Sequence, residues 1–189
     1  DLMEGIFFVL IGAALYSQAW SILGLYSEGR TMGIFTAGLG LLSLGTIMFG
    51  STIEPTVLVE GGADSLTNAL TALVILWAVY AVGVGATGIW EFEDRAIGFY
   101  SSFLAVASVI VFLYFAISMS PGGEFSDYSE GLWLSMSAVP LVLTVISTIT
   151  FFYLGFQFQL LRLVSGWFTL LGSIVISLIG LGVVATAIA

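Results

Sequence analysis

The densest run of groups that could do chemistry is Glu91, Glu93, Asp94 and Arg95, three carboxylates and a guanidinium within five positions. It stands between two apolar runs, each long enough to cross a bilayer, so the chain must leave the membrane there, turn in water and go back in. In that setting the charges read as a solvated loop tip. The sequence contains no histidine and no cysteine. Imidazole ligands and bases, thiol nucleophiles, thiolate metal sites, disulfides and palmitoylation are therefore excluded. No nucleophile and base pair or metal-ligand set can be assembled, and the chain reads as a non-enzyme with no catalytic residue, metal or cofactor.

A second group of candidates lies inside the apolar runs. Apart from Glu4, near the outer end of the first run, and Arg162, at the very start of the sixth, no Asp, Glu, Lys or Arg falls within an expected span. Charges in lipid are costly and are kept for coupling or relay work, so an ion-driven transporter finds no coupling residue here. What remains is neutral, including Ser17, Gln18, Thr36, Ser43, Ser108 and Ser147. Hydroxyls and an amide suit an uncharged, hydrogen-bonding solute. The alternative is that each bonds its own helix backbone or a neighbouring helix.

The elements that must hold these residues follow from composition. The chain has 189 residues, 59% hydrophobic and 8% charged, with a mean hydropathy of +1.15, whereas a soluble domain carries roughly 25% charged residues. The reading is an all-α membrane protein, a single transmembrane domain over residues 1–189. Since a span needs about 20 apolar residues, six helices are expected at about 3–23, 32–52, 66–89, 96–119, 132–154 and 161–187. Asp1 and Glu4 are acidic and the first run is full length, which reads as a span and not as a signal peptide. Ser65 or Thr67 can cap the third helix, and Pro140 is expected to kink the fifth. The second helix carries Gly33, Gly38, Gly40, Gly45 and Gly50, which suits tight helix packing or, alternatively, a solute-lining wall.

Arg30, Arg95 and Arg162 are the only basic residues. Each lies in an odd-to-even connection, so all three emerge on one side, the cytoplasmic side by the positive-inside rule. Both termini and the loops near Glu60 and Glu124 are then extracytoplasmic. A net charge of −9 argues against binding nucleic acid or anionic headgroups, leaving the lipid bilayer and a small neutral solute as expected partners. Aligned on the arginines, the tips share more than polarity. Three residues on stand Gly33, Gly98 and Ser165; five on, Phe35, Tyr100 and Trp167; nine on, Leu39, Leu104 and Leu171; six or seven before, Gly24, Gly88 and Gly155. This suggests a bundle of three repeated two-helix hairpins. Equally, every tip could independently require a C-cap glycine, an anchoring arginine and an interfacial aromatic. Tyr26, Trp90, Tyr153 and Trp167 fall near the inner interface, Tyr128 and Trp133 near the outer one. Trp77 and Tyr80 sit deeper, as core packing or as an aromatic constriction that filters by size and shape.

The run IGAALYSQAWSILGL, the loop PTVLVEGGAD followed by LTN, and the passage EDRAIGFYSSFLAVAS resemble the AmiS/UreI urea/amide channel family of small six-helix membrane proteins over most of the first two thirds of the chain. The resemblance implies a passive channel for urea or short-chain amides in a prokaryotic cell (inner) membrane, with both termini outside, assembled as a homo-oligomeric ring of protomers each with its own pore. Matched position by position, it implies a pore lined by Phe8, Ile11 and Leu15 on the first helix and by Trp77 and Tyr80 on the third. The last third departs from the pattern. Glu130, Gly131 and Trp133 are kept, the deeper tryptophans of helix five are replaced by small or aliphatic residues, and Gly172 and Ser173 stand where the family has a glutamate. Acid gating through loop histidines cannot operate in a chain without histidine. The expected function is a channel for urea, short-chain amides or ammonia; the alternative is a non-transporting structural subunit of a larger membrane complex, associated with other membrane subunits.

Overall fold

A computed structural model describes residues 2–25, 28–50, 64–126 and 129–185. They form α1 (Leu2–Leu23), α2 (Gly29–Gly50), α3 (Asp64–Trp90), α4 (Arg95–Ser118), α5 (Glu130–Thr150) and α6 (Arg162–Val184), with a π-helical turn at Phe151–Gly155 and a 3₁₀ turn at Gln159–Leu161 before α6. There is no strand among the described residues. All six helices are long and apolar enough to cross a membrane, because each apolar run exceeds the roughly 20 residues that hydrocarbon thickness demands. The expected ends at 52 and 187, the loop from Pro55 to Gly62 with Glu60, and Tyr26 and Tyr128 lie outside the described residues, as do the side chains of Ser65 and Thr67.

Local chemistry sets the ends. Ser129 caps α5 by accepting from the Leu132 N–H at 3.2 Å. Gly24 ends α1 at φ +68°, with its N–H bonded to the Trp20 and Ser21 carbonyls, the left-handed cap that glycine adopts without strain. The other two pre-arginine glycines do not cap. Gly88 lies within α3 and Gly155 within the π turn, and the left-handed residues at those tips are Glu91 and Gln157, both at φ 56°. Arg30 stands in the first turn of α2, not in a loop. Pro140 lies inside α5, which continues to Thr150 and passes into the π turn.

In the packed bundle α1 lies closest to α6, α2 to α3, and α4 to α5. Glycine makes these approaches possible. A Cβ on Gly33 would stand 2.8 Å from the Gly85 carbonyl, one on Gly88 2.9 Å from the Gly29 carbonyl, and one on Gly98 would collide with the Gly155 backbone. In a bilayer, where lipid is as apolar as leucine, such close backbone contact is a main source of helix attraction. The arginine-bearing connections gather at one end of the bundle. There Arg30 Nη2 meets Glu91 Oε1 at 2.6 Å, and Arg162 Nε donates to the Ile22 carbonyl at 2.8 Å. The interior is filled by Phe8, Leu66, Leu73, Trp77, Tyr80, Phe115, Met136 and Ile146 among others, while Ile34, Phe35, Met48, Phe103, Ile110 and Leu178 point outward. Apolar outward faces are what a lipid solvent selects.

Candidate functional site

At the arginine-bearing end the helices enclose a vestibule of about 400 Å³, walled by Gln18, Ser21 and Ile22 of α1, Gly29, Met32, Gly33 and Thr36 of α2, Val84, Thr87 and Gly88 of α3, Ile97 of α4, and Tyr153 and Leu154 of the π turn. The glycines pull α2 against α3, and Ser21, Thr36 and Thr87 on the vestibule wall are short. The π turn puts an extra residue into its helical turn and brings Tyr153 and Leu154 to the wall. Glu91 and Asp94 stand at the rim, where Glu91 is held by Arg30 in an exposed pair. A side chamber of about 90 Å³ shares Asp94, Tyr153 and Leu154 with it and adds Gln157 and Gln159.

Gln18 and Thr36 lie on the vestibule wall. Both also border a second space deeper between α1, α2 and α3, of only about 10 Å³, with Ile11, Leu15, Gly40, Ser43, Trp77 and Tyr80 around it. That is room for about one water molecule. At the boundary Gln18 Nε2 donates to the Tyr80 hydroxyl at 2.7 Å, and the buried Thr150 side chain lies beside the same hydroxyl. Trp77 packs edge-on against Tyr80 with ring centroids 5.3 Å apart, and its indole N–H donates to Ser108 Oγ at 3.1 Å. Every polar atom that forms this narrowing is neutral.

Of the residues matched to a pore, Ile11, Leu15, Trp77 and Tyr80 thus stand around one narrow space, and Phe8 is buried in the same core three positions along α1 without reaching that space. The neutral polar residues divide in two. Thr36, Ser43, Ser101, Ser135 and Ser147 donate to carbonyls three or four residues back on their own helix, the local bond that hydroxyls make readily in a helix. Ser17, Gln18 and Ser108 instead reach a different helix. Trp133 reaches one too, through its indole N–H to the Ala116 carbonyl at 3.4 Å. Sequence reasoning did not single out Gln18 from the other neutral groups, nor Ser21, Tyr153 and Gly88 as one wall. The available signal was that Gln18 is the only side-chain amide in the first apolar run, with more donors and acceptors than one helical turn can absorb. No protein-family model, curated protein or solved structure matches this chain.

Proposed function

We propose that this chain is a passive membrane channel for small neutral polar solutes, in the class of urea, short-chain amides and ammonia. The observation that carries the reading is the vestibule of about 400 Å³ that shares Gln18 and Thr36 with a narrow, neutral, aromatic-lined space. Such a path discriminates by width and hydrogen bonding, without fixed charge. A solute entering the vestibule exchanges water hydrogen bonds for those of the wall. It goes on when the side chains of Trp77 and Tyr80 move, because the space at their level holds about one water molecule. The pore residues of this reading are Phe8, Ile11, Leu15, Trp77 and Tyr80, and the resemblance to the AmiS/UreI family supports the same assignment.

In this reading the arginine-bearing end faces the cytoplasm and both termini face away from it. The bundle consists of three hairpins, each arginine tip packing through glycine or a buried neighbour on the next. The protomers form a homo-oligomeric ring in a prokaryotic inner membrane, each with its own pore. The test is solute flux. Liposomes containing the purified protein are expected to swell in acetamide or urea faster than empty liposomes, with no dependence on proton or sodium gradients. Swelling no faster than that of empty liposomes would end the channel reading.

A further inference from the structure

Gln18 is 4% exposed, yet it is on the wall of both the vestibule and the narrow space beyond it. Its carboxamide is planar and offers two N–H donors and a carbonyl with two lone pairs. Among the described residues it makes one hydrogen bond, to the Tyr80 hydroxyl. Four of the other polar groups around the two spaces are already spent as donors. Thr36 gives its proton to the Met32 carbonyl, Ser43 to Leu39, Thr87 to Val84, and the Trp77 indole to Ser108. Those hydroxyls can still accept, but they have no proton left to give. The Ser21 and Tyr80 hydroxyls keep their protons, but each carries donor and acceptor on a single atom; Gln18 presents a free N–H and a free carbonyl side by side on one rigid group that borders both spaces.

We propose that Gln18 is the specificity-determining residue of the passage, a docking station for solutes that carry a carbonyl and an N–H on neighbouring atoms. This rests on the channel reading above and deepens it. The chemistry is that of one amide recognising another. The solute carbonyl accepts from the spare Gln18 N–H, and the solute N–H donates to Gln18 Oε1, so both water-facing groups of the solute are satisfied before it enters the aromatic level. A solute that can only accept leaves Oε1 unpaired, and an apolar solute leaves both groups unpaired; each then bears a desolvation cost inside a nearly dry wall. Tyr80 holds the amide across the opening by accepting its other proton, which fixes the orientation of the station.

The experiment compares acetamide and water permeability of liposomes holding the intact chain, for the native protein, Gln18→Met and Tyr80→Phe. Methionine keeps the length of the side chain and removes the amide. Gln18→Met is expected to lower the acetamide-to-water permeability ratio about tenfold, the effect of losing roughly one to two hydrogen bonds at the narrowing. Tyr80→Phe keeps the amide but frees its orientation, and is expected to lower the ratio by less than Gln18→Met does. An unchanged ratio in Gln18→Met would overturn the station while leaving the channel reading intact. An equal loss in both variants would overturn it too, by showing that the pair matters only as a bond holding the fold. Native protein indistinguishable from empty liposomes is a separate outcome, and it removes the channel reading itself.

Discussion

α1, α2 and α3 border both the vestibule and the narrow space beside it, with α4 and the π turn joining them only at the vestibule, and one space holds about 400 Å³ and the other about 10 Å³. The helices need not splay apart to produce that difference. At the vestibule the small wall residues Gly29, Gly33, Gly88, Ser21, Thr36 and Thr87 stand beside Ile22, Met32, Ile97 and Tyr153. One to two turns deeper they are Ile11, Leu15, Trp77 and Tyr80. Side-chain volume, set residue by residue, decides where a solute can stand and where it must wait. The glycines at the α2–α3 seam bring the backbones together, since a Cβ on Gly33 or Gly88 would meet the facing carbonyl.

Three variants break or sharpen this comparison. The largest effect is expected at the seam beside the vestibule. A side chain on Gly98 would collide with the Gly155 backbone, and backbone cannot rotate away as a flexible side chain can. Gly98→Leu is expected to destabilise the protein by about 3 kcal/mol or more, read as loss of a monodisperse peak in detergent; a native-like elution profile and melting temperature would mean that the seam is not close-packed. Next is the narrow level. Trp77→Ala removes a fully buried ring and strands the Ser108 hydroxyl, at a cost of about 3 to 5 kcal/mol, visible as a lower midpoint in thermal unfolding. If the midpoint did not move, the level beyond Gln18 would be loose and the contrast in volume would lose its cause. The smallest effect is expected at the rim. Arg30 and Glu91 are both exposed, with side chains 63% and 72% accessible, and water screens such a pair. Glu91→Gln is expected to leave the unfolding midpoint unchanged within error, and a clear drop would show that the tip charges clamp the vestibule wall.

Much of the fold was legible because a bilayer is a severe solvent. Runs of apolar residues at 3–23 and 96–119 could be little else than spans, and the structure places α1 and α4 within a residue of those bounds. Capping was less legible. Gly24, Gly88 and Gly155 occupy equivalent places before the arginines, and only Gly24 adopts the left-handed cap. The other two serve close approach to Gly29 and Gly98, a role that depends on a helix brought in from elsewhere in the chain. At the candidate site, Trp77 and Tyr80 stood out by depth alone. Gln18 did not, because its distinction lies in what its neighbours have already donated to their own helices.

Composition and run length alone therefore determined a charge-poor, six-span helical membrane protein without histidine or cysteine chemistry. They do so because hydrocarbon forces each span to satisfy its backbone internally and to exclude charge, and both demands are local in sequence. Only the tertiary structure decided which helices touch, that a vestibule lies at the end where the arginine tips gather, and that Gln18 on its wall bonds Tyr80 of the narrow space. Those facts depend on residues 62 positions apart meeting at 2.7 Å, and no local property of either residue encodes that meeting.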